Sequence, residues 1–406
     1  MRCVIHIGTE KTGTSLLQEW LYANFKGLCK SGIWLTERFG TPNNRHFPAY
    51  FRVQPDDFAL QYMLNSPEEK EAFLRSFRDD FEAEIAKAKS CHTILITSEH
   101  FHSRLTDTAE VAALRAFLDP YFDSIEIVCY FREQSDMALS SYSTHVKGGG
   151  DEDIDSVMAN VAPYNPYYNF LSIADLWSGV FGKENCRFRI YDRARFISRD
   201  IRRDFLEAIG AQTAASELSF DIENKNPALS GVQAIVFRQI NRAIPYFNED
   251  GGINRQNVRL KATCLEYSAL AAGTIFFPSQ DEVAARFNES NHIFFETYLP
   301  NERGFTYNFR EKIGQPEMTE AEISDIVASV SQCFLKEIKQ LNAQERTVNA
   351  QERAGSSRVS MFARWRQVAD YKIHKWLSET PLVSRKIRKR FRGPAERRRR
   401  QLRSKR

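Results

Sequence analysis

Residues 3–15 read CVIHIGTEKTGTS, and three parts of that stretch define the first structural unit of the chain. Residues 3–7 are an apolar, β-branched run ending at Gly8, the pattern of a buried strand. From Thr14 the sequence continues TSLLQEWLYANF, with leucines and aromatics at helical spacing. The polar loop between them, residues 8–15 (GTEKTGTS), carries glycines at Gly8 and Gly13. Strand, loop and helix in this order aim unpaired backbone N–H groups and the positive end of the helix dipole at one point, which binds phosphate-like anions. A nucleoside-triphosphate loop reads GxxxxGK[ST], with lysine directly after the second glycine. Here Gly8 and Gly13 keep the spacing, but Thr14 stands in the lysine position and Lys11 is the loop's cation. That places Lys11 to meet the bridging oxygen between a phosphate and a group in transfer, and it argues against a nucleoside triphosphatase.

Further along, a polar stretch with Pro and Asn (residues 36–55) precedes a predicted helix over about residues 67–89, whose Phe73, Phe77, Phe81 and Ile85 share one face. Two buried-strand candidates follow, residues 93–98 (TILITS) and 125–131 (IEIVCYF), separated by helical sequence around residues 111–118. A fourth, residues 186–191 (CRFRIY), comes after the helical run FLSIADLWSGVFG. Strands alternating with helices imply right-handed crossovers and a parallel sheet. Gly148, Gly149 and Gly150 run into Asp151, Glu152 and Asp153, a composition read as a mobile loop too polar to pack. Beyond about residue 226 the pattern is mainly helical, and the repeat NAQERTVNAQERAG, with Asn342 and Asn349 in register, reads as a polar linker. The expected architecture is an α/β, P-loop-like three-layer fold with a central, mainly parallel sheet and a helical C-terminal half. Residues 1–340 form this domain, 341–370 a polar helical linker and 371–406 a basic, flexible tail.

The composition is that of a folded protein: 42% of 406 residues are hydrophobic and 12% aromatic, which excludes disorder of the whole chain. Seven scattered cysteines show no metal-site spacing and read as reduced, mostly buried thiols. The first apolar run lacks the flanks of a signal peptide, and no segment approaches the roughly 18 apolar residues of a membrane helix. A cytoplasmic location is therefore expected. The net charge of +4 hides an asymmetry, because residues 371–406 hold 15 Lys/Arg against Glu379 and Glu396, a net +13, leaving −9 on residues 1–370.

A strand, a Lys-Thr-Gly-Thr loop and a Leu-rich helix resemble the 5′-phosphosulfate loop of sulfotransferases that use 3′-phosphoadenosine 5′-phosphosulfate (PAPS). The resemblance implies an Arg at the end of a later strand and a Ser eight residues on, both gripping the 3′-phosphate. IVCYFREQSDMALSSYS supplies Arg132 and Ser140 at that spacing, and a guanidinium forking onto phosphate oxygens with a hydroxyl beside it is sound chemistry in itself. Residues 167–210 look like the section that follows this motif in bacterial and Golgi-type members, so the similarity covers residues 3–210. Three features depart from it: Glu10 inside the loop, whose side chain must turn away from the anion; Leu16 in place of an aromatic residue; and no Arg-Lys-Gly segment near the C-terminus. By analogy these departures place the chain nearer the carbohydrate-modifying branches.

The resemblance implies transfer of a sulfuryl group from PAPS to an acceptor hydroxyl or amine, with no metal ion; a carbohydrate is the first choice of acceptor, ahead of a small phenol and a peptide tyrosine. Lys11 would neutralise charge on the departing oxygen, while Thr12, Gly13, Thr14 and Ser15 would hold the 5′-phosphate. The acceptor proton needs a base at the carboxyl edge of the sheet. Glu99, directly after TILITS, is the first candidate, since related enzymes use a glutamate there; His100 and His102 are its rivals. Capping the next element or pairing with a buried Arg would be structural roles for Glu99. His46 and Tyr191 are secondary candidates for the acceptor pocket and the nucleotide.

The basic tail could meet nucleic acid, polyanionic glycan or an anionic membrane. Tyr371, Ile373, Trp376, Leu377, Leu382 and Val383 give it apolar anchors, so a peripheral contact with the inner membrane face is the expected use. Two other function classes compete. A small-molecule P-loop kinase needs lysine after Gly13, and a nucleic-acid-binding protein leaves the acidic body unexplained.

Overall fold

Five strands carry the α/β framework: β1 (Arg2–Gly8), β2 (Ile33–Leu35), β3 (Thr93–Thr97), β4 (Ser124–Phe131) and β5 (Cys186–Ile190). In the computed structural model, residues 1–54, 67–222, 228–248, 251–271 and 280–307 are described, with 329–330, 332–333 and 336. The linker expected at 341–370 and the basic tail at 371–406 lie outside the described residues. All five strands are parallel, in the order β2-β3-β1-β4-β5. Four match the expected runs to within a residue or so. The fifth, β2, is three residues long, too short to show periodicity, and is held by its pairing with β3, Trp34 opposite Ile94.

Alternation along the strands sends side chains to two apolar layers. On one face Val4, Leu95, Val128 and Tyr130 pack with Leu17, Trp20 and Leu21 of helix Thr14–Ala23 and with Phe205 and Leu206 of helix Ile201–Ala208. On the other, Phe131 meets Phe170 at 5.0 Å and Phe294 at 4.9 Å between ring centroids, from helices Phe170–Phe181 and Asn288–Tyr298. Both faces are therefore covered by helices, as a parallel sheet requires.

Helix Pro67–Lys87 uses the expected stripe, with Phe77 and Phe81 buried against Phe39 and Phe47. The stripe also hides a carboxylate. Glu84 is fully buried and accepts hydrogen bonds from Trp34 Nε1 at 2.9 Å and the Glu37 amide at 3.2 Å.

The chain divides into two compact units. The first contains the sheet and spans Met1–Tyr142, Asp153–Pro227 and Ser279–Phe309. The second includes, among described residues, the glycine-rich segment at 143–152 and helices Gly231–Ala243 and Arg255–Leu265. Here the structure corrects the expectation of a loop that does not pack. The Asp151 carbonyl accepts from Arg238 Nε at 3.2 Å and Arg242 Nη2 at 2.7 Å, and Asn241 Nδ2 reaches the Gly150 carbonyl at 2.7 Å. A Cβ on Gly149 would lie 2.5 Å from Tyr246 Cβ, so the glycine serves close approach. Among the described residues no helix is long and apolar enough to cross a membrane.

Strand order positions the site. From β1 the chain crosses toward β2 at one edge, and from β4 toward β5 at the other, so the carboxyl ends of β1 and β4 form the switch point where ligands of open α/β sheets collect.

Candidate functional site at the carboxyl ends of β1, β3 and β4

The loop after β1 is built on two glycines that no other residue replaces easily. Gly8 has φ 107°, and a Cβ there would lie 3.1 Å from Glu99 Cα, so the end of β1 presses against the residue following β3. Gly13, φ 74°, would meet the Tyr191 hydroxyl at 3.2 Å. Lys11 itself is left-handed at φ 66°, a conformation a non-glycine residue holds only when its surroundings impose it. Those surroundings are visible: the Thr9 amide and hydroxyl donate to the Tyr130 carbonyl at 2.8 and 3.1 Å, and the Thr12 hydroxyl donates to the Thr9 carbonyl at 2.6 Å. Helix Thr14–Ala23 then starts from Gly13 with no side-chain cap and no acid in its first turn. An uncapped helix start carries unsatisfied backbone N–H groups and the positive end of the helix dipole. Thr12 and Thr14 are buried, whereas Ser15 is exposed.

Arg132, one residue past β4, reaches this loop. Its Nη1 donates to the Lys11 carbonyl at 3.2 Å, and its guanidinium carbon lies 5.7 Å from the centroid of the Tyr191 ring. The two motifs found separately in the sequence are thus in contact. Tyr191 touches both, covering Gly13 on one side and Arg132 on the other. Helix Gln134–Lys147 begins beside them, but its N-terminus is occupied: Glu133 accepts from the amides of Ser135 and Asp136, each at 2.9 Å, and from the Ser135 hydroxyl. Burial pushes the Glu133 carboxyl up against those bonds. Of these two helix starts, only the one after Gly13 offers an uncapped turn. Ser140 lies half-buried on the second helix, about 9 Å along its axis from Gln134 at ~1.5 Å per residue.

Burial lowers the Lys11 ammonium pKa; Glu10 and Glu99 oppose that shift and Arg132 adds to it. A bound dianion would favour the charged form.

The acid–base groups gather where β3 ends. Glu99 precedes helix His100–Arg104, yet its side chain does not cap it. Its Oε2 accepts instead from Gln18 Nε2 at 2.6 Å, and its Oε1 lies 3.9 Å from His100 Nε2. Glu10 turns inward: its Oε2 accepts from the Tyr167 hydroxyl at 3.0 Å, and its Oε1 is 3.7 Å from His100 Nδ1. Burial alone would raise the Glu10 pKa, but His100, His102 and Lys11 help to hold the carboxyl below its usual range.

His102 is committed elsewhere. Its Nδ1 accepts from the Glu10 amide at 3.3 Å and its Nε2 donates to the Tyr167 carbonyl at 2.9 Å, so the ring is neutral, and burial takes its pKa to about 4. With both nitrogens engaged it has no lone pair for an acceptor proton. Burial also lowers His100, with Glu99 and Glu10 pulling it up and Arg45 and Arg104 pushing it down. His46 opens helix His46–Phe51, half-buried, its ring 5.7 Å from that of Phe73.

Gln18, Tyr167 and Arg45 were not picked out from the sequence. Gln18 carried a signal, a polar residue on the buried face of helix Thr14–Ala23 beside Leu17 and Leu21. Arg45 is a buried cation in a stretch that reads as a polar loop, and nothing local marks it. Among the described residues no cluster of three or more His, Cys, Asp or Glu side chains could hold a metal.

No family model matches the chain. It is 26% identical over 220 residues to an uncharacterized protein of Archaeoglobus fulgidus, a match covering 54% of this chain and 57% of that protein, so the chain spans little more than half of the relative's length. Among solved structures, a sulfotransferase from Alicyclobacillus acidocaldarius aligns with 55% of this chain and 85% of its own at 14% identity, with a TM-score of 0.35.

Proposed function

We propose that this chain is a sulfotransferase that moves a sulfuryl group from PAPS to a hydroxyl or amine of a carbohydrate acceptor. The observation that carries this reading is the Arg132 guanidinium resting on the Lys11 carbonyl, which joins an uncapped helix start to a second cation at the switch point. Two anion-binding elements in contact suit a nucleotide with phosphate at both ends. The residues present fit PAPS: Lys11, Thr12, Gly13, Thr14 and Ser15 would hold the 5′-phosphate, and Arg132 with Ser140 the 3′-phosphate. PAPS supplies the activated sulfuryl group. Lys11 neutralises charge on the oxygen that departs, and Glu99, held by Gln18, takes the acceptor proton. The threonine after Gly13, where a kinase loop carries lysine, favours this reading over a P-loop kinase.

Thermal unfolding in the presence of adenosine 3′,5′-bisphosphate, against ATP with Mg²⁺, tests the assignment. The bisphosphate should stabilise the protein by roughly 2.7 kcal/mol at 100 times its Kd. Stabilisation by ATP–Mg²⁺ alone would favour the kinase. The basic segment 371–406 is proposed to dock on an anionic membrane, and equal liposome sedimentation of the full chain and of a chain ending at residue 360 would remove that role.

A further inference from the structure

His100 stands between two carboxylates, with Nε2 3.9 Å from Glu99 Oε1 and Nδ1 3.7 Å from Glu10 Oε1. Its Nδ1 is buried and has no hydrogen-bond partner among the described residues, a condition that native structures rarely leave unexplained. A carboxylate oxygen lies close by: Tyr167 donates to Glu10 Oε2, and Glu10 Oε1, on a carboxyl that Ser103 also influences, is 3.7 Å from the ring nitrogen. Closing that gap by about an ångström would make the bond, and catalytic hydrogen bonds commonly tighten only when the substrate is bound.

Resting on the sulfotransferase reading, we propose that His100 is the outlet for the acceptor proton: Glu99 receives it and passes it to His100 Nε2, and Glu10 steadies the imidazolium through Nδ1–H. In the transfer the acceptor O–H bond breaks and its proton joins Glu99. The new O–S bond forms as the old S–O bond breaks, its electron pair going to the phosphate oxygen beside Lys11. The proton then moves from Glu99 Oε1 to His100 Nε2 and, since Nδ1 is buried and keeps its own proton against Glu10, leaves from Nε2 to water. His100 is the most exposed of the three, 22% against 19% for Glu10 and 15% for Glu99, so the proton leaves from the ring. The charge balance around the ring suits a transient cation. Glu99 and Glu10 favour it, Arg45 and Arg104 oppose it, and burial keeps the resting ring neutral and able to accept. His102 beside it is neutral, and Lys11 lies on the same loop as Glu10. Glu10 is thus a positioning residue that acts through His100.

The test combines sulfate release from PAPS with water as acceptor, measured across pH, and ¹⁵N-histidine NMR of His100, in wild type, Glu10→Gln and Tyr167→Phe. Glu10→Gln should slow release about tenfold, lower the His100 titration midpoint and leave bisphosphate affinity no weaker; Tyr167→Phe should move rate and midpoint the same way by less. A wild type that binds no bisphosphate overturns both this proposal and the reading it rests on. Normal bisphosphate binding with an unchanged His100 midpoint and unchanged release in Glu10→Gln overturns the relay alone.

Discussion

Arg2 and Arg132 stand at opposite ends of two adjacent strands, and their surroundings differ in kind. Arg2, at the start of β1, donates to Thr93 Oγ1 at 2.9 Å, Glu126 Oε1 at 3.2 Å and the Ile209 carbonyl. Arg132, just past the end of β4, spends one bond on the Lys11 carbonyl and rests near a tyrosine ring. Among the described residues its guanidinium makes no further hydrogen bond. The contrast recurs at other sites. Asp204 is saturated by Tyr130, Arg189 and the Ile197 amide, whereas among the described residues Glu99 receives Gln18 alone as a hydrogen-bond donor. Glu133 caps its helix, whereas the helix after Gly13 has no side-chain cap. Saturated charges hold the sheet together, and the less saturated ones gather at the carboxyl ends of β1, β3 and β4.

Substitutions can break or sharpen that division. The largest effect of a substitution should come from the saturated side: Asp204→Ala removes the acceptor of the Tyr130 hydroxyl and leaves Arg189 to its bond with Glu207, and should cost roughly 3–5 kcal/mol of stability by denaturant unfolding, with bisphosphate binding retained. A shift in pH should act on the same side by a comparable amount. His6, bonded through Nδ1 to Thr97 Oγ1 at 2.9 Å, and His102 are held neutral by burial, with pKa values lowered to about 3 and about 4. The unfolded chain binds protons at these histidines below about pH 6.5 and the folded chain does not, so stability should fall as pH drops from 6.5 toward 4. His102 alone contributes roughly 3 kcal/mol across that window. Equal unfolding free energies at pH 7 and pH 4.5 would contradict the neutral assignment.

Arg132→Ala should weaken bisphosphate binding by roughly 2 kcal/mol, about 30-fold, while leaving the unliganded melting temperature nearly unchanged. Arg2→Ala should do the reverse, lowering the melting temperature by a few degrees with affinity intact. If the two arginines gave the same pattern, the division between structural and ligand-facing charge would fail. The smallest effect is expected from Gly13→Ala, about 1–2 kcal/mol of strain from φ 74° and the close Tyr191 hydroxyl, with a matching loss of affinity.

The long strands were legible because burial on both faces is a local pattern, and the Gly8–Gly13 spacing marked the loop after β1 in the same way. Arg132 was picked out through the resemblance, by its place after a strand and its spacing to Ser140, and the structure sets it against the Lys11 carbonyl. Short β2 was not, since three residues carry no period, and Glu84 was hidden because it lies three residues after Phe81, on the buried side of a stripe whose apolar residues are unbroken. The segment around Gly148 misled for a different reason: its composition suits a solvated loop, but the donors that pin its carbonyls, Arg238, Asn241 and Arg242, lie some 90 residues away. Around Glu99 the sequence placed three candidate bases side by side, and only tertiary contacts separate them. The Tyr167 carbonyl and the Glu10 amide occupy His102, while Glu10 and Glu99 flank His100.

The loop after β1 and the arginine after β4 are proposed to form one cradle for a single doubly phosphorylated nucleotide. A crystal structure with adenosine 3′,5′-bisphosphate tests it most directly. One phosphate should lie on the amides between Thr12 and Ser15 beside Lys11, and the other within hydrogen-bond distance of the Arg132 guanidinium. A bisphosphate bound away from both, or touching the loop while Arg132 keeps only its bond to the Lys11 carbonyl, would contradict the account.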